Sequence, residues 1–240
     1  MKYLILFSLL YSISTAKAQI SDSSASNSTD IPNVFKFQKQ FFFLDILENG
    51  WLNAPPNIEA KVFSGGFNLN LLYEINIIPS LLSIAPGISY SVSTVKTNAK
   101  YQYTFNSDSS EILFTNLEQV NPLLYEKSKL STSTIGIPVE LHIYTKANEK
   151  GRGFLIAPGF RAGLLAGDFW KFKYTGEQPG QSKIKIYGIE NLSSFNYGLS
   201  LRLMYYKFGI YGYYSMSRLF EKGKGPDITP VSLGFTLSPF

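Results

Sequence analysis

The chain has 240 residues, of which 15% are aromatic and only 16% charged, well under the roughly 25% charged content of soluble domains. It has no cysteine, which excludes a disulfide framework, a lipid-anchored cysteine and a thiolate metal site. The net charge is +5; without Lys2 and Lys17 it is 20 basic against 17 acidic residues, or +3, too small and scattered a surplus for nucleic-acid binding.

The N-terminus predicts a signal peptide over residues 1–18. Lys2 supplies the positive start, Tyr3 to Ile13 an apolar core, and Ala16-Lys17-Ala18 a small-x-small cleavage site. The core is much shorter than the about 20 apolar residues of a membrane-spanning helix. Residues 19–34 follow as a Ser/Asp/Asn-rich tract that cannot bury a core, which predicts a disordered periplasmic leader. The barrel domain is expected over residues 35–240.

Eight strand-like segments follow. The first covers about Phe35 to Leu47, and its phase is open because Phe41, Phe42 and Phe43 run together. Placing Asp45 inside would turn Phe42, Leu44 and Ile46 outward. Trp51 to Pro56 reads as a loop, since successive prolines do not sit in a central strand. The second strand, about Val62 to Ile77, alternates Phe67, Leu69, Leu71, Tyr73 and Ile75 with Gly66, Asn68, Asn70, Glu74 and Asn76. Pro79-Ser80 marks a tight turn into the third, about Leu82 to Val95. A long polar connection, Lys96 to Ser128, leads to the fourth.

That fourth strand, Lys129 to Thr145, carries the clearest signal. Ile135, Ile137, Val139, Leu141 and Ile143 alternate with Thr134, Gly136, Pro138, Glu140, His142 and Tyr144, a period of two with no helical component. A short turn at Asn148 to Gly151 precedes the fifth strand, Gly153 to Gly167. After an excursion over Asp168 to Ser194, the sixth strand sets Tyr197, Leu199, Leu201, Leu203 and Tyr205 against Gly198, Ser200, Arg202 and Met204. The seventh begins at Phe208, and the eighth alternates Val231, Leu233, Phe235 and Leu237 with Ser232, Gly234, Thr236 and Ser238. Within the excursions, Trp170 to Tyr174 and Lys183 to Tyr187 flank Glu177 to Gly180, predicting a hairpin above the membrane. Tyr101 to Phe105 is a candidate for another.

Connections are short after strands two, four and six and long after three and five, the asymmetry of outer-membrane barrels. Ile84-Ala85-Pro86-Gly87 also recurs as Ile156-Ala157-Pro158-Gly159, a hint of duplicated hairpins. A soluble lipocalin-like barrel would alternate the other way, apolar inward and charged outward. Here the polar face is mostly Gly, Ser, Thr and Asn, with isolated Glu74, Glu140, Arg161 and Arg202, which suits a narrow, filled lumen. The fold expected is all-β: an eight-stranded antiparallel transmembrane β-barrel with short periplasmic turns and longer extracellular loops.

Several stretches stand out together: the Ala16-Lys17-Ala18-Gln19 leader end, Gly50 to Pro55, Ser64 to Asn68, Ile137 to Leu141, Ala157 to Gly159, Tyr211 to Ser215 and Leu219 to Pro226. With these residues the chain resembles the PorT-like family of small outer-membrane β-barrels of Bacteroidota. The resemblance covers the mature barrel and implies an outer-membrane location, with a secretion role in particular relatives. One departure stands out: Phe240 is out of phase with Leu237, Phe235 and Leu233, so Pro239 must introduce a bulge or the insertion signal is atypical.

Candidate sites are few. If the fourth and fifth strands turn at Lys150-Gly151, Glu140 opposes Arg161, with Cβ atoms about 4.5–5.5 Å apart. By the same arithmetic Arg202 opposes Tyr211, and Glu74 adds a second acid, predicting an ionic network that plugs the lumen. His142, the only histidine, invites a hydrolase reading, but it lies near a short turn, away from the outer leaflet. One histidine and no cysteine make no metal motif, and no cofactor is expected. Lys171, Lys173, Lys222 and Lys224 are candidate lipopolysaccharide contacts, with a mixed solvated surface as the other account. The function expected is a non-enzymatic structural or interaction barrel, its partners outer-membrane lipid, the barrel assembly machinery during insertion, and a protein at the outer loops. The alternatives are a lipid-modifying enzyme, a narrow small-solute channel and a secretion-associated barrel.

Overall fold

The computed structural model describes residues 37–106, 109–117, 125–145, 153–175 and 181–238. The signal peptide and leader, the turn at Asn148 to Gly151, the tip at Glu177 to Gly180 and the phase of Phe240 lie outside the described residues. The strands are β1 (Phe37–Leu52), β2 (Ala60–Lys61), β3 (Gly65–Ile78), β4 (Leu82–Thr97), β5 (Ala99–Asn106), β6 (Ser109–Asn116), β7 (Tyr125–Tyr144), β8 (Phe154–Thr175), β9 (Gln181–Tyr187), β10 (Phe195–Tyr205), β11 (Phe208–Ser215) and β12 (Thr229–Leu237).

Eight of them close a ring in the order β1-β3-β4-β7-β8-β10-β11-β12, with β12 returning to β1 and every junction antiparallel. Closure removes the sheet edges that would expose unpaired backbone groups to lipid. Each of the eight segments read from alternation is one of these strands. Their outer faces carry Ile46, Leu71, Ile88, Ile135, Ile137, Leu164, Leu199, Leu201, Leu233 and Phe235, all exposed on the barrel wall. The inner face buries Asn68, Asn70, Glu74, Ser89, Glu140, Arg202 and Thr236.

The phase of β1 is resolved: Asp45 is fully buried inside and Ile46 faces out. β1 also runs further than expected. Trp51 and Leu52, read above as loop, pair with Pro230 and Thr229, because Trp51 packs into an apolar cluster that extends the wall upward. The connection after β4 is likewise not a plain polar loop. Ala99 and Tyr101 on β5 and Ile112 and Phe114 on β6 turn an apolar face onto the same cluster, and the hairpin forms its own two-stranded sheet. β8 and β9 form the second hairpin anticipated there.

Strand length explains why a cluster can form above the membrane. β7 has 20 residues and β8 has 22. At a rise of about 3.3 Å and a tilt of about 40°, 20 residues reach about 50 Å, twice the about 25 Å apolar band of such barrels. The outer halves of β7 and β8 therefore extend beyond the apolar band. Between them and the hairpins Trp51, Ile58, Val95, Leu130, Trp170, Phe172, Leu192, Phe220 and Ile228 are buried together. Trp170 is wholly buried and its indole Nε1 donates to Ser128 Oγ at 2.6 Å. A second cluster, Phe43, Leu72, Ala85, Leu155, Ala157 and Met204, fills the lumen at the short-turn end.

Candidate functional site

Between the two apolar clusters the lumen is polar. Its centre is Arg202 on β10, fully buried. Nη2 donates to Glu140 Oε1 at 3.1 Å and Nε to Glu140 Oε2 at 3.3 Å, a two-pronged pair with β7. Nη1 donates to Asp45 of β1 and to Thr236 of β12. Asp45 also accepts from Asn70 Nδ2 at 2.8 Å. The guanidinium lies 4.3 Å from the Phe43 ring centre and 4.7 Å from that of Tyr211, a cation held between aromatic faces. The Arg202 bonds to Glu140, Asp45 and Thr236 join β10 to strands with which it shares no ladder, so they tie the barrel across its bore.

The network runs on from Glu140. His142 Nε2 lies 3.2 Å from Glu140 Oε2, and Nδ1 lies 3.3 Å from the Tyr144 hydroxyl and 3.8 Å from Glu74 Oε1. His142 thus bridges two acids while its ring is edge-on to Phe41 and Phe43. It is 0% exposed, so no substrate bond reaches it in this state. Among the described residues no group of three or more His, Asp or Glu side chains converges as metal ligands would.

The Glu140–Arg161 pairing is corrected. Arg161 opposes Pro138 and Glu140 opposes Gly159, two residues from the expected register. The last pairs before the turn set this, with Tyr144 opposite Leu155 and the Thr145 amide donating to Phe154 O at 2.9 Å. A shift of two keeps every side chain on its face but changes every partner. Gly159 is what Glu140 needs there, since a Cβ would stand 2.9 Å from Glu140 Cγ and 2.8 Å from Ser200 Oγ. Glu140 therefore leans across the bore to Arg202.

Arg161 sits one layer outward. Its Nη1 donates to Ser91 Oγ at 2.8 Å and its guanidinium lies 4.0 Å above the Tyr213 ring. A cavity of about 90 Å³ opens beside it, lined among others by Asn49, Asn68, Ser91 and Tyr213 and roofed by Trp51, Leu130 and Leu192. Arg161 Nε and Asn68 Nδ2 have no protein partner, and the cavity beside Arg161 is large enough for water.

Of the remaining expected residues, Tyr211 opposes Arg202 as the register arithmetic requires, and Glu74 joins through His142. Asp45, Asn70 and Thr236 escaped the sequence reading as network members. A lone acid in the apolar stretch Phe41 to Leu47 was the available signal, masked by the phenylalanine run. The four lysines separate. Lys171 and Lys173 stand on the outer wall of β8, whereas Lys222 and Lys224 lie in the loop between β11 and β12. Lys224 pairs with Glu221 at 2.6 Å, and that carboxylate holds its ammonium above the ordinary lysine value.

Residues 9–221 match the family described as outer membrane protein beta-barrel domain. No curated protein matches the chain. Among solved structures, Ail, the attachment invasion locus protein of Yersinia pestis, is 13% identical, with 83% of this chain and 97% of Ail covered at a TM-score of 0.33. A major outer membrane protein of Thermus thermophilus is 10% identical, with 84% of this chain and all of that one covered, also at a TM-score of 0.33.

Proposed function

We infer that this chain, which belongs to the outer membrane protein beta-barrel domain family, works as a non-enzymatic barrel with a sealed lumen that presents its outer hairpins to a partner. The observation that carries this reading is Arg202 clamped by Asp45 and Glu140 across the bore. An eight-stranded barrel is only wide enough for side chains to fill it, and this clamp fills it with mutually satisfied charge. The apolar cluster above and the one below add two further layers against solute passage.

Kinship with the PorT-like barrels of Bacteroidota is part of the same reading and rests on the motifs quoted from the sequence. So are removal of residues 1–18, a periplasmic leader over 19–34 and insertion by the barrel assembly machinery. A protein partner would meet the β5–β6 and β8–β9 hairpins, whose outer surface is held rigid by the aromatic cluster beneath.

The test is planar-bilayer recording on the purified, refolded protein together with incubation against labelled phospholipid and lipopolysaccharide. The expected result is no steady conductance and no acyl transfer or hydrolysis. Reproducible single-channel steps would overturn the sealed lumen, and turnover of lipid would overturn the non-enzymatic reading.

A further inference from the structure

On the outer wall, above the apolar band, the strand registers align lysines across the sheet. Lys61 of β2 opposes Lys96 of β4, and Lys96 opposes Lys129 of β7. Lys129 opposes Lys171 of β8, and Lys171 opposes Lys185 of β9. One cross-sheet row therefore holds a lysine on each of five neighbouring strands. A second row beside it reads Lys127, Lys173, Lys183 across β7, β8 and β9. No acid stands at any of these paired positions.

The alternate residues fix which way the lysines point. Val95, Leu130, Trp170 and Phe172 are buried in the outer cluster and Ile186 packs against it, so their lysine neighbours face outward. Directly opposed residues in antiparallel strands have Cβ atoms about 4.5–5.5 Å apart, and like charges placed so destabilise the sheet. An anion lying across the Lys96–Lys129–Lys171–Lys185 row would offset the repulsion between these opposed ammonium groups.

The layers below identify the anion. Two residues toward the membrane from the Lys129–Lys171–Lys185 row, Ser131 opposes Phe169 and Phe169 opposes Tyr187. Lys185 Nζ lies 3.9 Å from the Phe169 ring centre and 4.3 Å from that of Tyr187, while Lys129 Nζ lies 5.7 Å from Phe169. Lys96 Nζ lies 5.9 Å from the exposed Phe63 ring. Further down, Tyr90 opposes Ile135, which opposes Leu164, all exposed on the wall. Going outward, a mainly aliphatic wall gives way to the Phe169 and Tyr187 rings and then to lysine. Aromatic girdles mark the level where hydrocarbon ends, and six residues of strand separate Ile135 from Lys129, about 15 Å along the membrane normal at the usual rise and tilt. The lysines thus sit at headgroup height on the side of the barrel formed by β4, β7, β8 and β9.

We propose that this lysine row binds the phosphate groups of outer-leaflet lipid, with its acyl chains lying along the apolar wall below. The proposal rests on the outer-membrane location and is independent of the sealed lumen. Several ammonium groups in line suit a headgroup with two phosphates, since a lysine contacts phosphate as a point charge and the attractions of neighbouring lysines add.

The test uses the refolded full chain in neutral detergent micelles, with bis-phosphorylated lipid A, chemically dephosphorylated lipid A and inorganic phosphate as probes, and retention read by native mass spectrometry. Phosphorylated lipid A should be retained, the dephosphorylated form should not, and millimolar phosphate should not displace the lipid. The Lys96→Gln/Lys129→Gln/Lys171→Gln/Lys185→Gln variant should bind at least roughly tenfold more weakly. A second readout guards against a folding defect. Lys171→Glu relieves like-charge contacts with Lys129 and Lys185, so it should raise unfolding resistance in neutral micelles and lower lipid A retention. Equal retention by the variants, equal retention of the dephosphorylated lipid, or displacement by free phosphate would overturn the proposal, as would a Lys171→Glu barrel less stable than the parent without lipid.

Discussion

Removing Arg202 is the most informative perturbation of this barrel. Asp45 and Arg202 are 0% exposed and Glu140 is 2% exposed, so Arg202→Leu leaves two buried carboxylates without their shared cation. Breaking a buried pair by removing one partner costs about 3–5 kcal/mol, a large share of a stability that is typically about 5–15 kcal/mol. Glu140→Leu should cost less, about 3 kcal/mol, because Arg202 keeps Asp45 and Thr236. In the Arg202→Leu/Glu140→Leu double variant only Asp45 is orphaned, and Asn70 still donates to it. The double variant should therefore lose no more than Arg202→Leu alone, a departure from additivity of about 3 kcal/mol, at the upper end for contacting residues. The parallel Glu140/Arg161 cycle is the control. Arg161 bonds Ser91 and stacks on Tyr213 instead, so its coupling to Glu140 should stay at about 1 kcal/mol or below. Urea unfolding in lipid vesicles, with the folded fraction read by unheated gel mobility, measures both cycles. Additive losses for Glu140/Arg202, or equal coupling in the two cycles, would refute the clamp.

Two further outcomes follow from the wall and the outer cluster. Ile137 is 64% exposed on the wall, so Ile137→Arg should cost about 2–4 kcal/mol near the midplane, while Ile137→Phe should be close to neutral by the same vesicle assay; a tolerated arginine would show the face reversed. Trp170→Ala should cost about 3–5 kcal/mol locally and open the β5–β6 and β8–β9 hairpins to protease, with the barrel core still resistant. Loss of barrel and hairpins at the same protease dose would refute a cluster that stands apart from the membrane band.

The sequence by itself determined the eight membrane strands and, except in the first strand and the outer half of the fifth, their two faces, because alternation depends on neighbours one or two residues away along the chain. Alternation from Ile135 to Ile143 is sufficient to assign β7 an apolar and a polar side without any knowledge of its partners. Pairing across the bore is a different quantity. Glu140 and Arg202 are 62 residues apart and Asp45 and Arg202 are 157 apart, and their meeting depends on ring closure and on registers fixed at turns. A two-residue error at the β7–β8 turn preserved the face of Glu140 and misassigned its partner, since strand parity is blind to shifts of two. A one-residue irregularity does the opposite. Thr134 pairs with Leu165 but Ser133 pairs with Gly167, so Ala166 is an extra residue in β8 that reverses its phase. Below it Phe160 and Leu164 face outward; above it Trp170 turns inward, while Lys171 and Lys173 turn outward. Local alternation cannot announce that reversal, because Gly163, Ala166 and Gly167 leave too little hydrophobic contrast to show where the period slips. The buried outer cluster and the lysine row both depend on it, and both belong to the tertiary structure.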